Sequence, residues 1–190
     1  MVDEPSTAYG APEQGALFPD SSLPDELVGY RGPAACQIAG ITYRQLDYWA
    51  RTGLVVPSIR GAAGSGSQRL YSFKDVLVLK VVKRLLDTGV SLQNIRVAVE
   101  HLRRRGVRDL AGITLFSDGT TVYECSSPEE VVDLLQGGQG VFGIAVSGAI
   151  REITGTIHEF PAERADGGTV VHSPEDELSA RRRSKERATG

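Results

Sequence analysis

Residues 41–54 read Ile41-Thr42-Tyr43-Arg44-Gln45-Leu46-Asp47-Tyr48-Trp49-Ala50-Arg51-Thr52-Gly53-Leu54. Thr42 and Gln45 have the spacing of a T-x-x-Q capping box, in which two side chains satisfy backbone N–H groups left open at a helix start. The spacing predicts a helix that runs to about Thr52, with Gly53 placed to close it. Leu46, Trp49 and Ala50 fall at i, i+3 and i+4 and form an inward face. Arg44, Asp47, Tyr48 and Arg51 fall at i, i+3, i+4 and i+7 on another face. Two guanidiniums and a phenol on one exposed stripe suit contact with phosphates and base edges. An ordinary amphipathic surface helix carries the same pattern, so the decision rests on what flanks it.

Upstream, Pro33 can open a helix whose small apolar face is Ala34, Ala35, Ile38 and Ala39 before Gly40 stops it. Two helices joined by a tight glycine-containing turn make a helix-turn-helix. Downstream, Leu54-Val55-Val56 leads through Pro57 into Ser58-Ile59-Arg60. A glycine-rich tip at 61–66 then returns into Ser67-Gln68-Arg69-Leu70-Tyr71. This reads as a hairpin with an arginine on each arm, a wing. No GK[ST] follows the tip, which argues against a nucleotide-cradling loop. A third helix is expected over Phe73–Leu86, mostly buried, with Lys80, Lys83, Arg84 and Asp87 as its polar side. Ser91 caps a fourth, whose stripe is Ile95, Ala98, Val99 and Leu102. Arg103-Arg104-Arg105 at its end suits the helix dipole better than a DNA role, and Gly106 terminates it.

Charge follows the same division. Residues 1–30 hold no Lys or Arg and six acids. Residues 31–106 hold thirteen Lys or Arg against four acids, a block of +9 inside a chain of net charge −3. A basic module with acidic neighbours suggests a polyanion partner, although a solvated basic face would look alike. No run approaches the ~20 apolar residues of a membrane helix. The acidic start lacks a signal-peptide layout, and two cysteines cannot build a disulfide framework. A cytoplasmic, nucleoid-associated protein is expected, with no membrane partner.

These motifs in series resemble the MerR family of bacterial transcription regulators. The frame is Thr42, Arg44, Leu46, Tyr48-Trp49 and Gly53-Leu54, then Pro57, Arg60 and Arg69-Leu70-Tyr71 across the wing. Gly89-Val90-Ser91-Leu92-Gln93-Asn94-Ile95 is similar to the family's joint before its fourth helix. The likeness covers about residues 30–105 and has two departures. Asp47 stands where the family usually has Arg; it repels phosphate, so it is expected to pair with Arg44 or Arg51 or to accept from a cytosine amino group. The long dimerising helix is also absent, because Gly106 interrupts and no heptad pattern follows. Together with the wording of residues 43–51, this looks like an actinobacterial subgroup linked to cell-division gene control.

The resemblance implies a homodimer on an inverted repeat in double-stranded promoter DNA, with RNA polymerase on the same promoter and activation by distortion of the spacer. It assigns DNA contact to Thr42, Tyr43, Arg44, Gln45, Asp47, Tyr48, Arg51, Arg60, Ser67, Gln68, Arg69 and Tyr71. The alternatives are an architectural DNA binder of the excisionase or partition type, or a ligand- or partner-binding module with secondary DNA binding.

From Ile113 the pattern turns to strands. Residues 113–116, a Ser117-Asp118-Gly119 turn and residues 121–125 make a hairpin. A short helix from Ser127 carries Val131, Val132, Leu134 and Leu135, glycines at 137–140 break it, and 141–146 read as a buried strand. The fold expected is therefore α+β: a MerR-type winged helix of four helices and a wing hairpin over 30–106, then a small ββαβ domain over 107–160. An acidic leader (1–29) and a charged tail (161–190) flank them as disordered segments. Fifty residues bury little alone, so dimerisation is assigned to Phe116, Val122, Val141, Phe142 and Ile144. His101, His158 and His172 are scattered without ligand spacing, so no metal or other cofactor is expected. No acid/base pair or activated nucleophile can be argued, and no enzymatic role is expected.

Overall fold

The computed structural model describes residues 27–61, 68–118, 121–131 and 142–170. Most of the acidic leader, the wing tip with Ser67, the residues 132–141 with Val141, and the tail from 171 lie outside the described residues.

The chain enters as strand β1 (Val28–Arg31) and turns directly into α1 (Gly32–Ala39), which has Pro33 in its first turn. Val28 and Gly29 are thus strand, two residues that the sequence assigned to the leader. Helix α2 (Tyr43–Arg51) starts at the predicted capping box: the Gln45 N–H donates to Thr42 Oγ1 at 3.2 Å, and the Thr42 N–H donates to Gln45 Oε1 at 2.9 Å. Gly53 follows with φ +71°, a backbone region open to glycine at little cost. Strand β2 (Leu70–Tyr71) is the return arm of the wing; Arg60 and Leu70 exchange backbone hydrogen bonds of 3.2 and 2.9 Å.

Helix α3 (Phe73–Asp87) is the central element, with Val76, Leu77, Leu79, Val81, Val82 and Leu85 essentially inaccessible. Helix α4 (Leu92–Arg103) buries the expected Ile95, Ala98, Val99 and Leu102 against it. Two of the three arginines at its end are engaged within the protein, Arg104 with Glu100 at 3.1 Å and Arg105 with Glu124.

A one-turn helix α5 (Val107–Leu110) leads to β3 (Thr114–Ser117), β4 (Val122–Cys125) and β5 (Phe142–Ala145). They form an antiparallel sheet ordered β4-β3-β5, and residues 128–131 begin the expected helix. Phe116 packs its ring over Gly143, where a Cβ would stand 2.9 Å from the ring.

Two expectations need correction. Val146 is not the end of a strand but the first residue of helix α6 (Val146–Thr156), which the sequence reading did not anticipate. Its buried Val146, Ala149, Ile150 and Ile153 recur at helical spacing, so the signal was present but was hidden by the apolar strand run before it. Residues 162–170 are likewise not tail. Strand β6 (Ala162–Arg164) pairs antiparallel with β1, and β7 (Thr169–Val170) pairs with β6, giving a sheet ordered β2-β1-β6-β7. Ala162 is fully buried there, and the Ala165 N–H donates to the Leu27 carbonyl at 2.9 Å. One hydrophobic core runs from Leu46 and Trp49 through α3 to Ile144, Ile150, Ile153 and Ala162. Among the described residues no helix is long and apolar enough to cross a membrane.

Candidate nucleic-acid interface

Helix α2 is fixed from below by Leu46 and Trp49, which are 1% and 2% exposed. This leaves Tyr43, Arg44, Tyr48 and Arg51 on the outside; Tyr43 is 62% and Tyr48 48% exposed. Arg44 is exposed and has no hydrogen-bond or ion-pair partner among the described residues. Thr42 and Gln45 close the cap between them and so hold the first turn of α2 in place.

Asp47 pairs with Arg51, as expected from one helical turn, but not with Arg44. Its second partner comes from the wing. Arg51 Nη2 lies 2.8 Å from Asp47 Oδ2, and Arg69 Nη1 lies 2.9 Å from Asp47 Oδ1. The hydrogen bond from Arg69 is the largest influence on the Asp47 carboxyl; burial opposes it, but with the charges of Arg51 and Arg69 added the carboxyl is held below its usual range. Sequence spacing could not reveal a pairing that spans the whole wing.

The wing arms are anchored at the base. Asp75, the third residue of α3, accepts from the Ser72 N–H at 2.9 Å and closes a capping box with it. The same carboxylate accepts from both the N–H and the hydroxyl of Ser58 at 2.7 Å, tying the outgoing arm to the start of α3. Neither Ser58 nor Asp75 was singled out in the sequence, though Ser72-Phe73-Lys74-Asp75 carries the box pattern. Arg96 of α4 donates to the Thr52 carbonyl at 2.9 Å and so holds the far end of α2. Arg60 is partly buried, its Nη2 donating to the Ala165 carbonyl at 3.2 Å beside β6.

Between α2 and the wing base opens a recess of about 430 Å³, lined among others by Arg31, Tyr43, Asp47, Gln68, Arg69 and Tyr71. Gln68 is exposed at its rim and Arg31 pairs with Glu163 of β6. Tyr71 corrects an expectation. It is fully buried, its hydroxyl has no hydrogen-bond partner among the described residues, and burial pushes its pKa up to about 12, so it is a core residue with no surface to offer DNA.

The proposed association residues separate in the same way. Ile144 is 3% exposed and packs into its own chain's core, which removes it from any contact surface. Phe116 and Val122 are half-buried, and Phe142 stands 46% exposed at the edge strand β5.

The sequence pattern of MerR HTH family regulatory proteins matches residues 30–102. An HTH-type transcriptional regulator of Mycobacterium tuberculosis is 77% identical over 185 residues, which is 97% of this chain and 82% of the relative. The HTH-type transcriptional regulator HmrR of Sinorhizobium medicae is 29% identical over 83 residues, 43% of this chain and 54% of its own. The heavy metal-dependent transcription regulator 1 of Rhizobium meliloti is 31% identical over 107 residues, 55% of this chain and 71% of its own. The matched segment is the one that carries the capped helix α2, the wing arms and helices α3 and α4. The chain belongs to the MerR family of HTH-type transcriptional regulators.

Proposed function

We propose that the protein binds an inverted repeat in promoter DNA as a homodimer and activates transcription by distorting the spacer on which RNA polymerase sits. The observation that carries this reading is the exposed Arg44, unpaired among the described residues, beside Tyr43 and Tyr48 on a helix rigidly capped and anchored from below. A helix of this kind reads base edges in a major groove, while wing arginines on its flank reach neighbouring phosphates. Affinity from one such short helix is small, so two copies on two half-sites are required for specificity. The β5 edge, with Phe142 exposed and no further strand on it among the described residues, is the surface that supports association.

Genome-wide mapping of bound sites, followed by footprinting at the strongest ones, tests this. Protection lying between the two promoter elements, with a two-fold repeat, supports the reading. Protection unrelated to promoters makes the protein an architectural binder instead.

A further inference from the structure

An acid at the centre of a DNA-facing stripe weakens attraction to every phosphate nearby, so its presence needs a compensating effect. The geometry of Asp47 supplies one. Its two oxygens are divided between guanidiniums from separate elements: Oδ2 takes Arg51 at 2.8 Å, and Oδ1 takes Arg69 at 2.9 Å. Arg51 belongs to α2 and Arg69 to the wing arm, two elements far apart in the chain. The pair with Arg69 is partly sheltered, the side chains being 30% and 22% exposed, while Arg51 stays 68% exposed and reachable.

We propose that Asp47 is a specificity-determining positioning residue, which fixes Arg51 and Arg69 relative to one another and thereby lowers binding to arbitrary DNA more than binding to the operator. This rests on the DNA-binding reading above. The first half of the argument is charge. Asp47 with Arg51 and Arg69 carries one net positive charge where two arginines alone would carry two, so one fewer counterion is displaced from any duplex. The second half is order. Two long side chains held by a common carboxylate have already lost rotamer freedom, and a site whose phosphates and bases match that arrangement is spared the ordering cost. A site that does not match must break the clamp first. Removal of the carboxylate therefore raises general affinity, whereas operator binding gains charge but loses order.

The test compares the full-length wild type with Asp47→Asn, an isosteric change at a half-exposed helix position. The probes are a duplex enriched by the wild type from a random-sequence pool and a scrambled duplex of the same composition. The scrambled duplex is expected to bind Asp47→Asn about fivefold tighter at ~0.15 M salt, with a salt slope steeper by about one. Affinity for the enriched duplex should move little, so the ratio of the two falls about fivefold. A ratio that stays constant, whether both affinities rise, fall or hold, overturns the proposal, because charge alone or loss of fold moves both together. Should Asp47→Asn not fold, Asp47→Glu, which keeps the carboxylate, must keep the ratio, and loss of the ratio there overturns it equally. A wild type that enriches no sequence overturns the DNA-reading function itself, and the Asp47 proposal with it.

Discussion

The Lys80 ammonium of α3 lies 3.2 Å from the Glu152 carboxylate of α6, and Arg84 donates to the same carboxylate. These contacts join the winged helix to the block that follows it. Burial opposes ionisation of Glu152, but the bonds from Arg84 and Lys80 outweigh it and hold the carboxyl below its usual range. Because Glu152 is half-exposed, the ion pairs contribute little. The union rests on the apolar face beneath them, Ala149, Ile150, Ile153 and Ile157. Glu152→Gln should therefore change stability by less than ~1 kcal/mol at neutral pH. Ile153→Ala should cost ~2–5 kcal/mol. The sole tryptophan, Trp49, sits in α2, so its fluorescence tests the coupling: it should report the Ile153 loss in one transition that coincides with circular dichroism. Two separate transitions would show that the blocks fold independently.

Arg44 is the sharpest test of the DNA-facing stripe. Among the described residues it has no hydrogen-bond or ion-pair partner, so Arg44→Ala should leave the melting temperature unchanged. If its fork reads a base, operator binding should weaken by ~1–3 kcal/mol and discrimination at one base pair should relax. Unaltered operator affinity in a folded protein would remove α2 from the reading role.

How far the sequence could be read follows from the range of the interactions concerned. The Thr42–Gln45 box, the Leu46–Trp49 face and the stripe of α4 all lie within two helical turns, and each is found where its spacing puts it. Contacts that close long loops were not legible: Asp47 with Arg69, Arg60 with Ala165, and β6 with β1. Tyr71 misled for a related reason. The family resemblance put it among the DNA contacts with Arg69, but the strand residue it pairs with, Tyr30 of β1, lies some forty residues upstream and was not visible as a neighbour. Helix α6 was missed because Phe142–Val146 is an uninterrupted apolar run, which periodicity alone cannot divide between strand and helix.

Alkaline pH should expose the cost of the two buried tyrosines. Burial raises Tyr30 and Tyr71 from 10.0 to about 12. Between these values the unfolded chain gives up the phenolic proton and the native state keeps it. The native state therefore holds more protons, and stability falls as pH rises from about 10 through about 12. Below about 10 the contribution is fully present. The loss should approach ~2–3 kcal/mol for each tyrosine. Tyr71→Phe should remove its share of this dependence. At neutral pH it should be neutral or stabilising, since the hydroxyl it deletes is buried with no hydrogen-bond partner among the described residues. Chemical denaturation at a series of pH values gives both numbers. Loss of DNA affinity in Tyr71→Phe at neutral pH would return this residue to the interface.

Association is predicted to depend on the β5 edge. No heptad seam follows α4, whose last turn is occupied by Arg103 and is followed by Arg104, Arg105 and Gly106. Strand β5, in contrast, has β3 on one side and no further strand among the described residues on the other, and it presents an uncharged Phe142-Gly143-Ile144-Ala145. An uncharged apolar edge is a template for another strand. Ile144 faces the core, so a change there would unfold the block and could not separate folding from association. Phe142 is the informative position, because it stands 46% exposed within the single chain. Phe142→Asp should keep the fold, place two like charges across a two-fold contact, and shift the protein from dimer to monomer in sedimentation. On the proposed inverted-repeat reading, operator binding should weaken with it, because a monomer can occupy only one half-site. A Phe142→Asp protein that still sediments as a dimer would place the two-fold contact on another surface.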